Sequence, residues 1–133
     1  MKEINDRMVA LGRLISLDAT YNGYPKVVEK EDVFTDGKFL YEDKKVYHYV
    51  VMERGKEVES YSSGIVDEVL YFVFKDITRS LAIKYESEHS VPNQDFRKIM
   101  FQRQLELLSE INPDYEEKQK SYIQDVLAKN PYT

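Results

Sequence analysis

The chain has 133 residues, which is the size of one domain with a single hydrophobic core. Its net charge of −5 disfavours direct binding of nucleic acid, because phosphate backbones require Lys and Arg clustered on one face. The absence of Cys excludes disulfides, thiolate metal sites and cysteine nucleophiles.

The first fifteen residues predict no export signal, because MKEINDRMVALGRLI carries charges through its apolar positions. The densest apolar run is Val69 to Phe74, which is far shorter than the roughly 20 residues that a bilayer span needs. These features, together with the lack of Cys, predict a cytoplasmic protein with no membrane partner.

The chain opens with a pattern typical of an amphipathic helix, followed by a loop. Apolar residues recur every three or four positions, at Ile4, Met8, Leu11 and Ile15. The turn formers and the proline of Asn22-Gly23-Tyr24-Pro25 end this pattern and predict a surface loop.

Three antiparallel strands are predicted next, over Lys38–Glu42, Val46–Glu53 and Lys56–Ser62, because Phe, Tyr and Val dominate these runs and turn residues separate them. The middle run is apolar or aromatic on both faces, which favours a central position in the sheet. Either Val27-Val28 or Val33-Phe34 could add a fourth strand at the edge. We therefore predict a meander of three to four strands.

The remaining residues predict three helices. The first follows Ser62-Ser63 and runs to about Glu88, and it is apolar on several sides. The second is capped by Asn93 or Asp95, and the third begins at Pro113 with Asn112 as its cap. The predicted fold is a single α+β domain, residues 1–133, with the N-terminal helix first and the three C-terminal helices packed on the sheet.

No catalytic or phosphate-binding motif interrupts these elements, so the sequence predicts a protein that is not an enzyme. Only His48 and His89 offer imidazole groups. The cluster of Glu86, Glu88 and His89 is typical of a solvated helix end, where His offsets the helix dipole. We expect no metal site and no cofactor.

A polar cluster in the apolar helices is the first candidate site. Asp76 could pair with Arg97 or Arg103, either as a structural ion pair or as part of a partner-binding site. The candidate residues of this cluster are Asp76, Glu86, Arg97 and Gln104.

A surface of Tyr and Glu on the sheet is the second candidate. Tyr combines a large apolar body with a hydroxyl that tolerates water, which suits it to protein interfaces. The alternative is that most of these rings pack against the helices, and the turn at Arg54-Gly55 leaves the strand register open. The candidate partner-binding residues are Tyr47, Tyr49, Glu53, Glu57, Glu59 and Tyr61.

Three segments resemble a known family. YEDKKVYHYVVMERG, DEVLYFVFKDITRSLAIKYE and QDFRKIMFQRQLELLSEINPDY follow one another in the order seen in immunity protein family 63 of bacterial polymorphic toxin systems. The resemblance covers about residues 37–127 and is most specific in the two central helices. It implies a stoichiometric inhibitor, of the kind found in contact-dependent inhibition, that binds a cognate toxin domain. An acidic inhibitor would suit a basic nuclease as that partner.

Two other functions remain open from the residues alone. One is a small hydrolase or transferase that uses Asp76, Glu86 or His89, and the other is a non-enzymatic scaffold or small-ligand domain. An enzyme requires a concave pocket with at least two titrating side chains within hydrogen-bond reach. An inhibitor is expected to present a broad acidic surface.

Overall fold

The computed structural model describes residues 2–133 and has an α+β fold. Residues up to Val73 and residues from Phe74 onward form two compact units, which are described in turn. The predicted class and order of elements are confirmed, and the three long strands match their predicted bounds to within one residue. The elements are α1 (Lys2–Arg13), β1 (Lys26–Val27), a 3₁₀ helix (Lys30–Asp32), β2 (Gly37–Asp43), β3 (Val46–Glu53), β4 (Lys56–Ser63), α2 (Val66–His89), α3 (Phe96–Ile111) and α4 (Pro113–Lys129).

The first unit contains a four-stranded sheet in the order β1-β2-β3-β4, with β3 central as predicted. The edge strand at Val27 corrects the predicted meander, because β1 pairs in parallel with β2. A parallel pair requires a crossover connection rather than a tight turn, and the segment with the 3₁₀ helix supplies it. The alternative edge strand at Val33-Phe34 is not formed.

Two-residue turns set the register of the antiparallel strands. Arg54 and Gly55 both have positive φ, 54° and 75°, as a type I′ hairpin turn requires. The turn is closed by the pair of Glu53 and Lys56. Lys44-Lys45, with φ of 53° and 65°, forms the same turn between β2 and β3. The sequence left open whether the turn between β3 and β4 has two or three residues. The structure shows a two-residue turn, which fixes the register of the two strands.

A β-bulge interrupts the pairing of β3 with β4. Val51 pairs with Glu59, whereas the next residue, Met52, pairs with Glu57, so Val58 is an extra residue on β4. Because side chains alternate between the faces of a sheet, Glu57 lies on the same face as Met52 and Glu59 lies on the opposite face.

One face of the sheet is packed against the N-terminal part of α2. Leu40 and Tyr49 on this face are almost completely buried, with 0% and 1% of their surface exposed. The ring of Tyr61 stacks on that of Phe72 from α2, with the ring centroids 3.8 Å apart. We call this the packed face of the sheet.

The second unit consists of the rest of α2 together with α3 and α4. Asp95 caps α3 by accepting a hydrogen bond from the amide of Arg97, and Asn112 caps α4 immediately before Pro113, as predicted. One apolar cluster of this unit contains Ala82, Met100, Phe101 and Ile123. None of the helices in residues 2–133 is long and apolar enough to cross a membrane.

Candidate functional site

Of the six candidate side chains on β3 and β4, the structure buries one fully and packs a second against its neighbours. Tyr49 is 1% exposed, and Tyr61 is half-buried between Tyr49 and Phe72. These two rings belong to the packed face, as the alternative interpretation of the tyrosines proposed. In the free protein they contribute little or no surface for a partner.

Tyr47 is half-buried near the end of the sheet, opposite Ser63 of β4. Partial desolvation raises the pKa of its phenol, and the hydrogen bond to Glu42 and the charge of Glu3 raise it further. The Tyr47 hydroxyl therefore stays protonated at neutral pH and acts as a hydrogen-bond donor.

The three candidate carboxylates, Glu53, Glu57 and Glu59, are all exposed. They lie along the β3–β4 hairpin, whose second strand is the outermost strand of the sheet. Glu57 and Glu59 are on opposite faces because of the bulge at Val58. The carboxylates therefore flank the edge of the sheet from both sides instead of forming a patch on one face, and we call this hairpin the acidic edge.

A histidine and a serine meet on the face opposite the packed face. The Oγ atom of Ser62 lies 2.7 Å from Nδ1 of His48, and the ring of Tyr41 stacks on the imidazole at 4.7 Å. A serine hydroxyl beside an imidazole resembles a nucleophile–base pair, but no carboxylate in residues 2–133 is hydrogen-bonded to the other ring nitrogen of His48. Sequence reasoning missed the contact because it depends on the strand register.

The polar cluster divides into separate interactions. Arg97 forms an ion pair with Asp95 at 2.8 Å, and Arg103 pairs with Glu106 at 3.2 Å. Both arginines therefore form ion pairs with carboxylates close by in the sequence, in place of the pairing with Asp76 that was considered. The reason is local: Asp95 caps the helix that carries Arg97, so its carboxylate is already beside the guanidinium.

Arg97 and Asp95 also hold the last residues of the chain. The guanidinium of Arg97 donates to the carbonyl oxygens of Asn130 and Pro131, at 2.8 and 2.9 Å. The carboxylate of Asp95 accepts from the amide of Thr133 at 3.1 Å. Arg97, which the sequence analysis placed in a possible partner site, thus serves with Asp95 to fasten the C-terminal segment.

This arrangement predicts an acid-sensitive contribution to stability. Hydrogen bonds from the side chain and amide of Arg97 hold the pKa of Asp95 well below its ordinary value of 3.8. A carboxyl group with a lowered native pKa stabilises the fold above its unfolded pKa and loses that effect as the pH falls toward the native pKa. We therefore expect the protein to be more stable than its Asp95→Asn variant above about pH 4, with the gap closing in stronger acid.

Thermal unfolding midpoints of the two proteins between pH 2 and 7 would test this expectation. Asn keeps the ability to cap a helix, so the comparison isolates the charge. A gap that stays constant down to the lowest pH would contradict the assignment.

Gln104, the remaining polar candidate on α3, is buried with 1% of its surface exposed. Its amide nitrogen donates to the carbonyl of Lys75 at 3.0 Å and to the hydroxyl of Thr78 at 3.3 Å. Its amide oxygen accepts from Gln119 of α4 at 3.0 Å. Gln104 therefore links three helices of the second unit from within, and we call these four residues the buried amide network.

The C-terminal end of α2 holds the other polar candidates. One carboxylate oxygen of the half-buried Glu86 is enclosed and has no hydrogen-bond partner within residues 2–133. Nearby, Nδ1 of His89 lies 2.8 Å from the carbonyl of Tyr85, and Arg103 lies over the Tyr85 ring at 4.7 Å. Tyr85, His89 and Arg103 line an open cleft of about 250 Å³ together with Ile99, Gln102 and Glu106, and Glu86 is not part of its lining. No group of three or more His, Asp or Glu in the described chain is placed to hold a metal ion.

Comparison with known protein families identifies a relationship. The family model described as Immunity protein 63 matches residues 43–125, which is more than half of the chain. The matched region contains the β3–β4 hairpin, the three C-terminal helices up to residue 125 and every candidate site residue named above. No curated protein and no solved structure matches the chain significantly.

Proposed function

Because this chain belongs to the immunity protein 63 family, we propose that it binds a cognate bacterial toxin domain and neutralises it by stoichiometric occlusion. The proposal is based on the family match, which covers the β3–β4 hairpin, α2, α3 and most of α4. Membership of an immunity family implies a toxin as the partner and favours a role without turnover. The protein would act in the cytoplasm of the producing cell, and its action would require no cofactor.

We further propose that the acidic edge contacts the toxin. Glu53, Glu57 and Glu59 are exposed on an outermost hairpin, where another protein can approach them from the side. Carboxylates in such a position attract a basic partner and accelerate its association. A nuclease fits this chemistry, because its cleft must carry positive charge to bind phosphates.

Co-expression would test the proposed function directly. We expect a toxin domain to be encoded next to the gene of this protein and to arrest growth when it is expressed alone. Co-expression of this protein should restore growth, and the two proteins should co-purify as a complex with equal numbers of each chain. Arrested growth despite equal expression of both proteins would overturn the proposal.

Titration of the purified toxin distinguishes occlusion from catalysis. An occluding inhibitor abolishes toxin activity only when it reaches one molecule per toxin molecule, because each molecule blocks one site. An enzyme that modifies the toxin would abolish activity at a small fraction of that ratio. The sharp end point at equal amounts is the result that we expect.

A further inference from the structure

The hairpin geometry determines which main-chain groups of β4 point away from the sheet. In a two-residue hairpin the pair that closes the turn, here Glu53 and Lys56, exchanges both hydrogen bonds, and hydrogen-bonded and non-hydrogen-bonded pairs then alternate. The bulge at Val58 adds one residue to β4, so the alternation shifts by one position after it. The β4 residues in non-hydrogen-bonded pairs are therefore Glu57, Ser60 and Ser62. Their N–H and C=O groups therefore point outward from the edge.

These outward groups are open to a partner. Glu57, Ser60 and Ser62 are all exposed, and no residue in 2–133 forms a hydrogen bond with their outward main-chain atoms. The strand is eight residues long, whereas the strand at the other edge of the sheet, β1, has two. A long edge with unpaired main-chain groups is a template for the addition of another strand.

The side chains along this edge indicate the chemistry of the added strand. From Glu57 to Ser63, β4 carries two carboxylates and no basic residue. Lys or Arg on a neighbouring strand would place opposite charges side by side, which stabilises strand pairing. Ser60 and Ser62 are small, so they leave room for larger side chains of the partner.

We propose that β4 receives a β-strand of the cognate toxin domain, which extends the sheet and carries basic residues opposite Glu57 and Glu59. The inference rests on the proposed function, since it names how the same surface recognises the toxin. Main-chain hydrogen bonds to Glu57, Ser60 and Ser62 hold the added strand, and the carboxylates select it by charge. The bulge at Val58 interrupts regular strand pairing. The added strand therefore pairs regularly only with the part of β4 after Val58, which contains Ser60 and Ser62.

A toxin strand fits this edge better than a second copy of the chain. Pairing of two β4 strands would bring four carboxylates together with no basic residue between Glu57 and Ser63 of either copy. Each copy also has a net charge of −5, which opposes self-association.

Amide hydrogen exchange, resolved by NMR for each residue, would test the proposal on the unmodified protein. The probe is the toxin domain encoded next to its gene, inactivated by substitution of a catalytic residue. We expect the amides of Glu57, Ser60 and Ser62 to exchange at least about tenfold more slowly in the complex. Unchanged exchange at these amides in a complex that does form would overturn the strand addition and leave the proposed function intact.

Absence of any complex would instead count against both the proposed function and the strand addition. Slow exchange of the same amides in the free protein, increasing with its concentration, would show that a second copy occupies the edge and would likewise overturn the proposal.

Ser60→Pro adds a test by substitution. Proline lacks the N–H group, and at Ser60 that group points outward, so the change removes no hydrogen bond within the sheet. We expect toxin binding to weaken by about tenfold or more, whereas Ser60→Ala, which keeps the N–H, should change it by about twofold at most. Equal affinity of the folded proline variant and the alanine variant would contradict the proposal, and the exchange experiment decides the matter if the proline variant does not fold.

Discussion

Replacement of Gln104 by Leu is expected to lower the free energy of unfolding by about 2–4 kcal/mol. Leu has a similar volume, so the change removes the polar contacts without leaving a large cavity. The amide of Gln119 loses its acceptor, and the carbonyl of Lys75 loses one donor, both inside the protein. A buried polar group that loses its partner retains the full cost of desolvation.

Urea unfolding of the purified variants measures this effect. Gln102→Leu is the matched control, because Gln102 lies on the same helix but is exposed, and we expect it to change stability by about 0.5 kcal/mol or less. We expect the double variant, Gln104→Leu with Gln119→Leu, to lose less stability than the losses of the two single variants added together. The two amides share one hydrogen bond, and the sum of the single variants counts the loss of that bond twice. Additive losses would contradict the direct bond between the two amides.

Reversal of the three charges at the acidic edge is expected to produce the largest loss of function. Changing Glu53, Glu57 and Glu59 to Lys turns an attraction for a basic toxin into repulsion, which slows association and weakens the contacts formed. We expect the Kd for the toxin to rise by about 100-fold and growth protection to be lost. All three side chains are exposed, so the fold should be retained, and circular dichroism with thermal unfolding would verify this.

A control variant tests whether the loss of protection depends on where the charges lie or only on the change in net charge. Glu88, Glu110 and Asp125 are also exposed acidic residues, and their replacement by Lys changes the net charge by the same amount. This variant is expected to retain protection. If the edge variant still protects while folded variants at Asp76 or Glu86 do not, the toxin binds the helical surface and our choice of the acidic edge is wrong.

Local signals allowed much of the fold to be predicted. The helix that begins at Pro113 could be placed because Asn112 supplies its cap, and the helix at Phe96 because Asp95 does the same. These signals act within one turn of helix, so they can be read from neighbouring letters. The strand bounds were predictable for a similar reason, since the turn residues that separate β3 from β4 adjoin both strands in the sequence.

The candidate site was less predictable because its residues meet through the register of the sheet. Tyr49 and Tyr61 were candidates for a surface, yet they pack inward toward Phe72. A shift of one residue in the pairing of strands moves every side chain to the other face. The two-residue turn and the bulge at Val58 determine this pairing, and composition alone does not distinguish them from the alternatives.

The sequence by itself determined the α+β class, the order of the elements and the family, because caps, turns and the motifs of the helices are contiguous in the chain. Only the tertiary structure decided that Arg97 pairs with Asp95, that Gln104 is buried, and that the carboxylates of Glu57 and Glu59 flank an open edge from opposite faces. The physical reason is that burial, ion pairing and the direction of main-chain groups depend on distances in space. Residues far apart in the sequence set those distances, and they are brought together only when the chain folds.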